Sequence, residues 1–287
     1  MIRTSTPSHI SIAPRSLALR GAALFGLTTL LAGLAYLRTV APGVFTLDSP
    51  ELTVGAYSLG IVHAPGYPVY MLVGHLFLKL PLSDVGLRMN LLSALSAACA
   101  AGIITLLAWW LTERKLASLV AGMAFALCYY VWSMAVIAEV YTFQALLLVA
   151  ALALLWQWRS AGSFASLALA TVLAGLGAAN NPSTVLWWPG LLFLAVTADA
   201  RRTLRWRQIA SLAVLLAVSL SALLYLPLRS LTDPAFVYVG SYDAAGRFVA
   251  MDLSQPANLL WYLSGRQFSW LVAPYTPLEL LQEFGRA

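Results

Sequence analysis

Two carboxylates and an imidazole fall close together in a chain where charge is scarce. Asp48 and Glu51 lie in Leu47-Asp48-Ser49-Pro50-Glu51-Leu52, and His63 heads His63-Ala64-Pro65-Gly66-Tyr67-Pro68. A carboxylate can take the proton of an attacking hydroxyl, and acids with histidine can hold a divalent metal. Ser49-Pro50-Glu51 also reads as a helix start, with a hydroxyl N-cap, proline in the first turn and then an acid. Both acids would then sit at a helix N-terminus, where the dipole favours negative charge. Capping and chemistry are both open readings of the pair. The Pro/Gly run after His63 fixes a turn, so His63 is either a histidine satisfied in a tight loop or a group facing the carboxylates.

Other polar groups recur at the ends of apolar blocks. Glu139 and Tyr141 stand in Ala138-Glu139-Val140-Tyr141. Asn180-Asn181-Pro182 reads as a helix end followed by a proline stop. Arg229, in Tyr225-Leu226-Pro227-Leu228-Arg229-Ser230, and Arg88 have the planar guanidinium suited to a phosphate or to snorkelling. No Walker sequence, zinc-protease pair or serine elbow is present, so the sequence gives no support for ATP-driven transport or proteolysis.

The elements that must position these groups are membrane helices. Of 287 residues, 61% are hydrophobic and 10% charged, whereas a soluble domain has roughly a quarter charged. The apolar residues come in blocks of about twenty, the length of a membrane-spanning helix. The fold class expected is therefore an all-α polytopic membrane protein. The formal charge of +6 reflects arginines in the gaps between blocks, and no nucleic-acid partner is expected. Cys99 and Cys128 fall inside expected spans and suggest neither a metal site nor a disulfide.

Spans are expected over residues 17–37, 89–111, 117–137, 142–158, 164–179, 185–198 and 209–226. The first is longer than a signal-peptide core and reads as a retained span. Residues 51–61 should form a short helix. Residues 68–80 are too short to cross and read as a second juxtamembrane or re-entrant helix. With the N-terminus (1–16) cytoplasmic, the basic gaps Glu113-Arg114-Lys115, Arg159-Ser160 and 201–207 then all face the cytoplasm. If residues 68–80 crossed, the four-arginine loop at 201–207 would face outward. This layout places Asp48, Glu51, His63, Glu139, Asn180, Asn181, Arg229 and Asp233 on one face. It gives a seven-span module over 17–227 with an outer loop at 40–88. Residues 228–287 follow as an outer-face region lying on the membrane, with Trp261, Tyr262 and Trp270 as aromatic anchors.

These motifs, taken in order from Thr46 to Arg229, resemble a membrane-protein family that includes a eukaryotic protein O-mannosyltransferase. Its pattern there is close to Asp-x-Gly-Glu-Leu, then His-Pro-Pro-Gly-Tyr-Pro. Here Pro50 replaces a glycine, Ala64 a proline, and Asn181 a residue that is commonly histidine. Tyr238-Val239-Gly240 lacks a tryptophan often seen before that glycine. Family members usually continue into further spans. The resemblance implies a GT-C-like module of about seven transmembrane helices with juxtamembrane helices in the first outer loop. It implies a sugar moved from a polyprenyl-phosphate donor to a protein, lipid or glycan acceptor at the outer face, with inversion at the anomeric carbon.

Asp48 is expected as catalytic base with Glu51 beside it, and Arg229 as clamp for the phosphate. His63, Tyr67, Arg88, Glu139, Tyr141, Asn180 and Asn181 are expected to line the substrates. No cofactor is specified; Asp48, Glu51 and Glu139 are the candidates for a divalent metal. A bacterial inner membrane, in contact with lipid, is the expected location. A transporter or lipid-binding scaffold is the competing class, but it would place charge at mid-membrane rather than at one surface.

Overall fold

Long runs of Ala, Leu and Val without internal proline favour helix, and the described residues are mostly helical. A computed structural model describes residues 15–82, 84–197 and 203–269. The described residues open with α1 (Arg15–Thr39), followed by two short helices, α2 (Ser49–Ser58) and α3 (Pro68–Phe77). α4 (Val85–Thr112) opens on Asp84, whose side chain accepts from the Gly86 and Leu87 amides. α5 (Lys115–Leu127) and α6 (Tyr129–Ala135) meet at an angle of 61°. α7 (Val140–Ala161) and α8 (Phe164–Asn180) form a hairpin. Pro182 then stops the helix, and a 3₁₀ turn over Pro182–Trp187 leads into α9 (Trp188–Val196). α10 (Trp206–Leu220) runs through a second 3₁₀ turn into α11 (Tyr225–Ser230). The fold is that of an all-α polytopic membrane protein.

α4 is the central helix, packed against α1, α5 and α7. Its contact with α1 and α6 is built from Ala94, Ala97, Ala98 and Ala101 against Ala32, Tyr36 and Ala135, since small side chains let membrane helices approach closely. A larger cluster lies at the end of the bundle that carries α2 and α3. It joins Leu52, Val62, Tyr70, Met71, Met89, Phe143 and Leu226.

Among the described residues, four helices are long and apolar enough to cross a membrane: residues Ala18–Thr39, α4, α7 and the continuous stretch Trp206–Ser230. The bent pair α5–α6 makes a fifth if it is one span. The other two expected spans correspond to α8 and Pro182–Val196, which are shorter apolar helices. α3 has ten residues and reaches about 15 Å, half of a bilayer core of about 30 Å.

Three details differ from the sequence reading. The residue preceding α2 is Asp48 rather than Ser49, and its side chain makes no capping hydrogen bond. The segment after α11 holds a small antiparallel hairpin, β1 (Gly240–Tyr242) with β2 (Phe248–Ala250), before α12 (Pro256–Leu263). Tyr262 is no interfacial anchor. It is fully buried, because its hydroxyl reaches the Val62 carbonyl and its ring fills the space beside Gly66. Trp270 lies outside the described residues.

Candidate active site

Asp48, Glu51 and His63 come together because Asp48 immediately precedes α2 and the loop after α2 folds back on its first turn. Glu51, in the first turn of α2, points at the loop. Its Oε1 accepts from the His63 backbone amide and lies 3.1 Å from His63 Nδ1. The other ring nitrogen, Nε2, is 3.2 Å from the Tyr67 hydroxyl and 3.7 Å from Asp48 Oδ2. The imidazole therefore stands between two carboxylates. Edge contacts from the Tyr67, Tyr238 and Phe268 rings surround it at 5.2, 6.1 and 5.9 Å between centroids. Gly66 sits at φ +87°, where a Cβ would strike Leu226 and Tyr262, so this turn requires glycine.

Exposure separates the three groups. The side chains of His63 and Glu51 are 9% and 14% exposed, whereas that of Asp48 is 41% exposed. Asp48 is thus the carboxylate most open to solvent, and Glu51 and His63 are packed behind it. Burial lowers the affinity of the His63 ring for a proton, but the Glu51 hydrogen bond and the charges of Glu51, Asp48 and Glu139 outweigh it, and the pKa is raised.

Glu139 joins the same cluster from the start of α7. It is 2% exposed, and the Ser93 hydroxyl bridges its backbone amide and carbonyl. Burial, with the Asp48 charge beside it, pushes its carboxyl up to about 7; an Asp48 backbone hydrogen bond and the charge of His63 act in the opposite direction. Its Oε2 is buried without a protein partner.

Single ligand atoms from Asp48, Glu51 and His63 all lie within 4.8 Å of one another, a spacing and donor set that fits a divalent cation. His63 completes this group in the place expected of Glu139. A cation there would supply positive charge toward an anionic substrate.

The remaining candidates are placed as follows. Tyr67 is buried against His63. Tyr141 is 43% exposed and pairs with the Tyr130 ring at 6.1 Å. Asn180 is fully buried, accepting from the Tyr70 amide at 2.8 Å and donating to Gln144. Asn181 ends α8 and caps the following 3₁₀ turn through the Ser183 amide. Arg88 donates to the Leu78 and Leu82 carbonyls, which ties the end of α3 to α4. Arg229 donates to Leu59 O at 2.6 Å and Ser58 O at 3.4 Å. Asp233 is exposed just after the turn that follows α11.

Spacing did not single out Tyr225, Tyr238 or Phe268, which also wall the His63 loop. Tyr225 had one signal, its place in the Pro227–Arg229 motif.

Residues 48–204, more than half of the chain, match the family model described as the protein O-mannosyl-transferase TMEM260 N-terminal domain. The mouse protein O-mannosyl-transferase TMEM260 is 31% identical over 179 residues, covering 60% of this chain and 25% of the mouse protein. The chain thus spans about a quarter of the length of that relative. No solved structure matches it. The matched segment begins at Asp48 and carries Glu51, His63 and Glu139, and the chain belongs to the TMEM260 N-terminal domain family.

Proposed function

We propose that the chain carries the membrane-embedded catalytic site of a glycosyltransferase with a GT-C-like, seven-span layout. It moves a sugar from a polyprenyl-phosphate donor to a protein acceptor on the face opposite the basic loops. The observation that carries this reading is the half-exposed Asp48 carboxylate, backed by the buried Glu51–His63–Tyr67 set at the end of a membrane helix bundle. Family membership adds the reaction class, since the mouse relative is named a protein O-mannosyl-transferase.

In this mechanism Asp48 takes the proton of the acceptor hydroxyl as its oxygen attacks the anomeric carbon. The bond from that carbon to the phosphate oxygen breaks, and the polyprenyl phosphate leaves with the electron pair. Glu51 holds His63 by its backbone and its Nδ1, which keeps Nε2 turned toward Asp48 and Tyr67. Attack opposite the phosphate inverts the anomeric centre.

The test is mannose transfer from a polyprenyl-phosphate-linked donor in detergent, comparing wild type with Asp48→Asn. Loss of a positioned base is expected to lower the rate by about 100-fold or more, with donor binding retained. Equal rates in the two proteins refute the role of Asp48. Solute flux into liposomes without any transfer would instead establish a transporter.

A further inference from the structure

Five consecutive backbone carbonyls before His63 receive donors from the chain after residue 224. Arg229 donates to Ser58 O and Leu59 O. The Tyr225 hydroxyl donates to Gly60 O at 2.7 Å, and the Tyr238 amide donates to Ile61 O at 2.8 Å. The Tyr262 hydroxyl donates to Val62 O. The loop answers with the Ile61 amide, which donates to Phe236 O at 2.9 Å. Gly60 and Phe236 approach so closely that a Cβ on Gly60 would lie 2.5 Å from the Phe236 carbonyl oxygen.

This run of bonds lies on the stretch that ends at the His63 amide, and the same segment supplies the Tyr238 and Phe268 rings that face the imidazole. One segment therefore fixes both the path of the loop and the tilt of the ring. The guanidinium of Arg229 is turned to α2's terminal carbonyls, a use in which it fastens protein to protein.

We propose that residues 225–268 are a positioning strap for the catalytic loop, with Arg229 and Tyr262 acting as positioning residues that set His63 against Asp48. Arg229 is thereby assigned to the loop rather than to the donor phosphate. The strap lies beyond the matched segment, which ends at residue 204, so the site is completed by chain outside it. This inference rests on the glycosyltransferase reading for its kinetic part.

The experiment compares the full-length protein with Arg229→Lys and Tyr262→Phe, using polyprenyl-phosphate-linked mannose as donor. Amide hydrogen exchange is followed alongside kcat and KM. Amides at 60–66 are expected to exchange about tenfold faster or more in both variants, while those of α4 keep their protection. The kcat is expected to fall about tenfold in both, with KM for the donor within about twofold of wild type, because the loop and not donor affinity is disturbed.

A tenfold rise in KM confined to Arg229→Lys, with kcat kept, overturns the inference and returns Arg229 to the phosphate. Unchanged exchange at 60–66, or loosened exchange with unchanged kcat, overturns it too. A wild type that transfers no sugar overturns the glycosyltransferase reading and the positioning role with it. That outcome is distinct from failure of the strap alone, in which wild type transfers and the variants match it.

Discussion

Asp48 and Glu51 lie one helical turn apart and meet different surroundings, so their substitutions should behave differently. Glu51 is 14% exposed and accepts from two groups of His63 with one oxygen. Losing its charge weakens charge-assisted bonds worth about 1.5–3 kcal/mol, and Glu51→Gln is expected to destabilise the protein by about that amount. Asp48 caps nothing with its side chain and is half open to solvent, so Asp48→Asn should lie within about 0.5 kcal/mol of wild type. Denaturant or thermal unfolding in detergent measures both. Equal destabilisation by the two substitutions would show that Asp48 is a structural acid. The chemical type of these residues was legible from the sequence, and Pro65, Gly66 and Pro68 announced a turn after His63, but whether the imidazole faces the carboxylates was open. The division of labour was not legible, since exposure depends on what the distant Tyr238 and Phe268 rings cover.

Among the elements, the apolar blocks announced the helices, and the prolines at 50, 68 and 182 each fell in the first turn of an element. The β1–β2 hairpin was not announced, because three-residue strands are too short to show a period. Its turn is held by Asp243, whose Oδ1 accepts from the Ala245 and Arg247 amides while Oδ2 accepts from the Arg247 side chain. The Arg247 backbone hydrogen bond, with those of the Arg247 side chain and the Ala245 amide, holds its carboxyl below the ordinary 3.8 against an opposing desolvation. A carboxylate with a depressed folded-state pKa contributes stability above its unfolded value, and that contribution is lost as pH falls through the folded one. Amide protection at Ala245 and Arg247, corrected for intrinsic exchange, should therefore drop as pH falls below about 3.8. In Asp243→Asn it should be low and independent of pH across that window. Where the segment meets the loop, Gly60→Ala would drive a methyl against the Phe236 carbonyl. Overpacking of this kind costs about 1–3 kcal/mol, readable as a lowered unfolding midpoint.

For the whole molecule, the charge-counted layout placed the polar groups at one end of the bundle, and the structure brings Asp48, Glu51, His63, Glu139, Asn180 and Arg229 around residues 58–70 at that end. The sequence could not give Arg229 its partner, because backbone carbonyls have no residue signature. For the same reason Tyr262 looked like one more aromatic at a membrane surface. The family match ends at residue 204, yet the carbonyls of residues 58–62 take donors from residues 225–262. Three of those five residues, Gly60, Ile61 and Val62, are buried. An orphaned buried carbonyl costs about 1–3 kcal/mol, so losing all the donors approaches the about 5–15 kcal/mol that holds a whole domain. A chain ending at residue 204 should therefore keep the helical circular dichroism of α1, α4 and α7, whose contacts lie within it. It should be cleaved between residues 58 and 66 by a nonspecific protease under conditions in which a chain ending at residue 269 resists. Equal resistance of the two chains would mean that the loop holds its shape unaided, and that the site needs nothing beyond the matched segment.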